Sequence, residues 1–149
     1  MSFKFSKRWV EDKELVTNLI QRLFDETGES EKFLHKIEKD VTIFREGDVL
    51  HDVYILLDGI VELYKKKPGT DVDYPVIRLE PGSLIGIIAF TTEKPSLTTA
   101  ITSEPSTVLK IPEAEIRSLL DRDERMKEYI DEIILANLSE RFKSNINLQ

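Results

Sequence analysis

The 149-residue chain contains no cysteine. That excludes disulfides, iron–sulfur clusters held by thiolates, and catalysis by a thiol. Histidine is almost as scarce, with only His35 and His51, sixteen positions apart and each beside charged residues. A metal needs several aligned ligands, so this pair predicts two exposed loop side chains and no metal centre. The same scarcity argues against haem. Ser83, Ser96 and Ser103 have no histidine within a recognisable nucleophile motif. The acidic pairs Asp71 and Asp73, Asp121 and Asp123, and Glu38 and Asp40 read as solvated surface charge. No enzyme is expected.

Long apolar runs are missing too. No stretch approaches the length of a membrane span, and the opening Met-Ser-Phe-Lys-Phe has no signal-peptide core. A cytoplasmic location without membrane contact is expected. Positive charge is in deficit: 21 Lys and Arg face 28 Asp and Glu, a formal net charge of −7. A surface that grips nucleic acid carries the opposite balance. Nor does this balance steer anionic metabolites toward the chain. Basic residues cluster only at Lys4, Lys7 and Arg8, and at Lys65, Lys66 and Lys67 before Pro68-Gly69. The second cluster reads as a solvated hairpin tip, because no aromatic residue accompanies it in that loop.

What remains is an ordinary globular composition, 40% hydrophobic and 33% charged, in a length that builds one core without staples. Leu15, Val16, Leu19, Ile20, Leu23 and Phe24 recur at helical spacing and predict an amphipathic N-terminal helix over 7–28, ended by Gly28. The period then changes. Short extended runs over 33–38, 41–45, 53–57, 60–66, 74–79, 97–102 and 107–111 are separated by breakers such as Glu46-Gly47-Asp48, Asp58-Gly59 and Pro81-Gly82. Many short strands with regular turns predict a sandwich or roll over 30–112. Pro112 then opens a helical segment over 113–149, with Glu113 and Glu115 placed to favour a helix start. Its long helix, over 123–145, carries Met126, Ile130, Ile133, Ile134, Leu138 and Phe142. That apolar arc is wider than one docking face requires, so Met126, Ile130, Ile133 and Ile134 are expected to meet a second copy or a protein partner. Packing wholly against its own roll and the N-terminal helix is the alternative.

Three blocks carry a resemblance. Ile85-Gly86-Ile87-Ile88-Ala89-Phe90, a short loop, then Pro95-Ser96-Leu97-Thr98-Thr99 resembles the phosphate-binding cassette of the cyclic nucleotide-binding domain family. That cassette reads Phe-Gly-Glu-Leu-Ala-Leu, then (Pro)-Arg-Ala-Ala-Thr. Phe44-Arg45-Glu46-Gly47-Asp48, followed by Tyr54-Ile55-Leu56-Leu57-Asp58-Gly59, is similar to the family's signature segment. Leu79-Glu80-Pro81-Gly82-Ser83-Leu84-Ile85-Gly86 is similar to its Leu-x-x-Gly-Asp-x-Phe-Gly run. The resemblance implies a mainly β fold with flanking helices, an antiparallel jelly-roll β-roll of the cupin-like, double-stranded β-helix kind.

It also implies a ligand cradle at Gly86, Ile87, Ile88, Ala89, Ser96, Leu97 and Thr98. The family's glutamate, which holds the ribose hydroxyl, falls on Ile87, and its phosphate-pairing arginine falls on Ser96. A hydrogen bond to a charged group contributes about 1.5–3 kcal/mol, and removing one partner of a buried charge pair costs about 2–5 kcal/mol. Losing both side chains therefore weakens cyclic nucleotide binding by roughly 3–8 kcal/mol, at least a hundredfold. Lys94 in the loop or Arg78 on a preceding strand could supply a point charge, without the bidentate fork of the family arginine.

The expected function is thus a stand-alone regulatory module with a signalling or dimerisation role that does not hold cyclic AMP tightly. A sensor of another small effector, and a cyclic nucleotide sensor with a non-standard site, are the alternatives. No other cofactor is expected. Direct DNA binding is not expected either, because no helix-turn-helix segment follows the C-terminal helix before Gln149.

Overall fold

Short strands grow from the alternation of β-branched and aromatic residues with turn residues. The computed structural model describes residues 30–124, 127–128 and 131. The strands are β1 (Leu34–Ile37), β2 (Thr42–Phe44), β3 (Asp52–Asp58), β4 (Val61–Lys66), β5 (Asp73–Leu79), β6 (Leu84–Ile85), β7 (Thr99–Thr102) and β8 (Ser106–Pro112). A 3₁₀ turn, Ser30–Phe33, leads into β1. Helix α1 (Ile87–Thr92) interrupts the strands between β6 and β7, and α2 (Glu113–Arg122) follows β8. Two four-stranded sheets result, in the orders β1-β8-β3-β6 and β2-β7-β4-β5. Every pairing is antiparallel. Each sheet interleaves strands from both halves of the chain, which is the wrapping of a jelly roll. The expected β-roll is the observed fold.

Strand β3 shows how the pattern divides the core. Tyr54 pairs with Ile85 and Ile55 with Leu84, so alternate residues address opposite faces of the sheet. Tyr54, Leu56, Ile85 and Val108 point inward, where they meet Phe44, Val61, Leu79 and Ala100 of the facing sheet. Val53, Ile55, Leu109 and Ile111 point outward, yet all are buried. Helix α2 packs against β3 and β8 on that side, with Ile116 in its apolar row buried. Each such side chain contributes about 1.5–3 kcal/mol when fully removed from water.

Positive φ appears where the turns demand it. Gly59 sits at φ +95, and a β-carbon there would meet the Pro105 carbonyl oxygen at 2.6 Å. No β-carbon-bearing residue fits so close an approach. The loop over Pro68-Gly69 joins β4 to β5 as a hairpin tip; of the basic cluster expected there, Lys67 lies in the loop, whereas Lys65 and Lys66 end strand β4.

The structure also departs from expectation. Strand β6, of two residues, is too short to leave an alternating signal. Strand β7 begins at Thr99, so Leu97 and Thr98 belong to a loop and not to the strand. His35 lies on β1, an exposed strand position in place of the expected loop, whereas His51 does lie in a loop, just before β3. The expected N-terminal helix over 7–28 and most of the helix over 123–145 lie outside the described residues. Met126, Ile130, Ile133 and Ile134 lie outside them as well. No helix of the described residues is long and apolar enough to cross a membrane. Among those residues no three His, Asp or Glu side chains gather to hold a metal.

Candidate functional site

Gly86 turns the chain from β6 into α1. It sits at φ +87, and a β-carbon there would press on Leu50 Cδ1 at 3.0 Å with Phe44 Cε2 behind it. Glycine is the residue that takes this left-handed turn without strain. The first turn of α1 closes when the Phe90 N–H donates to the Gly86 carbonyl at 3.1 Å, and no side chain caps the helix. The helix ends at Glu93, which is itself left-handed at φ 57.

The expected cradle residues fall into two sets. Gly86, Ile87, Ile88 and Ala89 form the turn and first residues of α1. Ile87 is 2% exposed, yet it does not belong to the cluster that fills the roll. A carboxylate at this position would be fully desolvated, and water could not compensate it. The second set is Ser96, Leu97 and Thr98, on the loop that leads back to β7. Ser96 is buried, whereas Leu97 is 46% exposed. The reason lies in the loop's hydrogen bonds.

Ser96 is held by the turn over 45–48. Its N–H donates to the Asp48 carbonyl at 2.8 Å, and its own carbonyl accepts the Gly47 N–H at 2.7 Å. Its hydroxyl donates to the Thr98 carbonyl at 2.8 Å and accepts the Thr98 N–H at 3.3 Å. The hydroxyl therefore braces its own loop, and donating to an anion means giving up its bond to the Thr98 carbonyl. The turn is braced in the same way: Asp48 accepts the Arg45 N–H at 2.9 Å, and Thr99 Oγ1 accepts the Glu46 N–H at 2.8 Å. The sequence marks the Arg-Glu-Gly-Asp turn but gives no sign that its partner is the far end of the cassette, about fifty residues on.

The two candidate substitute cations differ in placement. Arg78 pairs with Glu62 on β4, one position from the inward-facing Leu79. Its side chain therefore lies on the outer surface of the sheet. Lys94 is exposed in the loop after α1.

A third cation is placed by geometry. Arg117 of α2 bonds Glu113 at 2.8 Å and Glu93 at 3.2 Å, and its guanidinium lies 5.1 Å from the centre of the Phe90 ring. Glu113 also approaches His51 at 3.7 Å, and its N–H donates to the His51 carbonyl at 2.9 Å. The hydrogen bond from Arg117 holds the Glu113 carboxyl below the ordinary carboxylate range, with the charges of Arg117 and His51 adding to it against desolvation. Sequence reading missed this group, because Glu113 and Arg117 look like an ordinary i,i+4 helix pair.

The model of the cyclic nucleotide-binding domain matches residues 34–123, from the first residue of β1 to just beyond α2. The fold recurs in a transcriptional regulator from Thermotoga maritima, with a TM-score of 0.68 at 18% identity over 78% of this chain and 90% of that one. The catabolite activator protein of Thermus thermophilus superposes with a TM-score of 0.61 at 20% identity over 85% of this chain, which spans 61% of the activator. The sensor domain of the transcriptional regulator DNR from Pseudomonas aeruginosa gives a TM-score of 0.58 at 22% identity, over 92% of this chain and 95% of that domain. At such identities the likeness is one of fold. No curated protein is similar enough in sequence to match the chain.

Proposed function

The chain belongs to the cyclic nucleotide-binding domain family, and from that premise we propose a regulatory module whose cradle does not hold a cyclic nucleotide tightly. One observation carries this reading. The two positions that would neutralise the phosphate and hold the ribose are Ser96, whose hydroxyl is spent on Thr98, and Ile87, an apolar side chain shut away from water. A fixed negative charge is not stable where no cation or spare donor meets it. The module acts without catalysis, inside the cytoplasm, by changing how its C-terminal helical segment presents Met126, Ile130, Ile133 and Ile134 to a second copy or a protein partner. Its net charge of −7 does not favour direct contact with DNA.

Calorimetry on the unmodified protein with cyclic AMP and cyclic GMP tests the proposal. Binding weaker than about 100 μM is expected, because the missing contacts remove at least a hundredfold. A dissociation constant below about 1 μM for either nucleotide would overturn it.

A further inference from the structure

Strand β5 is the outer strand of its sheet, and at seven residues it is the longest edge among the described strands. The other edge strands, β1, β2 and β6, have four, three and two residues. A short edge gives a neighbouring chain little to pair with, whereas a long one is a template for strand addition. The residues of β5 add to that hazard. Tyr74, Val76 and Ile77 are aromatic or β-branched, Tyr74 is 38% exposed, and Val72 just before the strand is 56% exposed.

The register shows which backbone groups this edge presents. The Lys67 N–H donates to the Val72 carbonyl at 2.9 Å, and along the ladder Lys66 then pairs with Asp73, Lys65 with Tyr74 and Tyr64 with Pro75. Antiparallel pairs alternate between hydrogen-bonded and non-hydrogen-bonded. The backbone of Tyr74 therefore bonds Lys65, while Asp73 and Pro75 turn theirs away from β4, toward the open edge. Proline removes no bond from its own sheet here, since the N–H it lacks would have pointed outward. It denies an incoming strand a donor, and its ring stands where that strand's carbonyl would approach. Next the ladder slips. Tyr64 pairs with Pro75 but Leu63 with Ile77, so Val76 is an extra residue, a bulge. A bulge bends and twists the strand away from the line a neighbour would follow.

We infer that Pro75 and the bulge at Val76 hold this edge closed, and that without Pro75 a second copy of this chain adds to it, strand β5 to strand β5. A second copy is the occupant because it carries the same long edge, and two-fold pairing of like edges satisfies both at once. The closed edge leaves assembly of the chain to its other surfaces. The inference is independent of what the cradle binds.

Two variants of the full chain test it. Pro75→Thr restores the missing donor with a residue that favours strands, and Pro75→Ala restores it with one that does not. Each is compared with the unmodified protein by sedimentation velocity and by amide hydrogen exchange, across a dilution series. The amides of Asp73 and of position 75 report the edge, and the Leu56 amide, bonded to the Ser83 carbonyl, reports the fold. Pro75→Thr should form a larger species as concentration rises, one that the unmodified protein does not form. Exchange at both edge amides should then slow by about tenfold, with Leu56 unchanged. Pro75→Ala should do the same more weakly. Association no greater than that of the unmodified protein, with Leu56 still protected, would overturn the inference. So would added association without slower exchange at Asp73, which would put the contact elsewhere. Loss of Leu56 protection in both variants would overturn it too, by making Pro75 a requirement of the fold itself.

Discussion

The Gly47 amide donates to the carbonyl of Ser96 at 2.7 Å, and the Ser96 amide answers by donating one residue further on, to Asp48. Ser96, the residue that the resemblance sets at the family's phosphate-binding arginine, is thus held through both its amide and its carbonyl. Its side chain adds bonds within its own loop, to Thr98. Backbone geometry and binding chemistry are separable at this site.

That separation predicts the outcome of Ser96→Arg. The main-chain clamp does not depend on the hydroxyl, so the fold is retained. Losing the bonds to Thr98 costs about 0.5–1.5 kcal/mol. Affinity for cyclic AMP should rise by about tenfold to a hundredfold, the worth of one charged hydrogen bond. Calorimetry beside a urea titration reads both effects. A stable variant with no gain would mean that this loop does not face a cradle.

Gly47 and Gly59 have nearly the same φ, +93 and +95, but their surroundings differ. Nothing lies within 4 Å of a β-carbon at Gly47, whereas one at Gly59 would meet the Pro105 carbonyl oxygen and, at 2.7 Å, Ser106 Cα. Gly47→Ala should therefore lose only the conformational term, about 1–2 kcal/mol. Gly59→Ala adds a backbone clash and should lose more than about 3 kcal/mol. Denaturant midpoints of the two variants check the ranking. Equal losses would show that φ alone sets the cost at both corners.

Much of this was legible in the residues. Glycine-bearing turns in a fixed order, with aromatic and β-branched runs between them, specify the roll, and the parity of Tyr54 and Ile55 follows from strand geometry. The site was legible only as identities. The resemblance sets Ile87 and Ser96 at the family's two charged positions, but the letters do not say how either side chain is surrounded. The bonds from Ser96 to Gly47 and Asp48 join segments whose spacing leaves no trace in local pattern. The same is true of Arg117, whose meeting with Glu93 and Phe90 depends on how α2 lands on the sheet. The register that sets Arg78 opposite Glu62 is likewise absent from local pattern.

The Glu113 carboxyl gives a pH prediction with a definite sign. Arg117 lowers its pKa in the folded state below the ordinary value of 4.5. A depressed carboxylate contributes stability that is present above the unfolded value and lost as pH falls through the folded one. The thermal midpoints of the unmodified protein and Glu113→Gln should therefore differ at neutral pH. The gap should close as pH drops below 4.5. A gap that persists unchanged in acid would assign the effect of the substitution to something other than charge.

Tyr54 gives the opposite sign at the alkaline end. Its ring is 9% exposed and lies 6.2 Å from that of Phe44, inside the roll. Among the described residues its hydroxyl has no hydrogen-bond partner. Burial, and then the charge of Asp52, raise its pKa above 10.0. The folded state thus favours the neutral phenol. That preference is fully felt below the unfolded value and is lost as pH rises through the folded one. Tyr54→Phe removes the titrating group while keeping the ring. Because no bond is broken, the change at pH 7 should stay within about 1 kcal/mol. Above pH 10 the variant should lose stability less steeply than the unmodified protein, since a buried phenolate no longer has to form or be avoided. Urea unfolding of both proteins at neutral and alkaline pH isolates this group, because the other tyrosines and the lysines are common to both. A loss beyond 1.5 kcal/mol or so at pH 7 would show that the hydroxyl does hold a partner in the fold. Parallel alkaline decline of the two proteins would show that Tyr54 does not sense the interior.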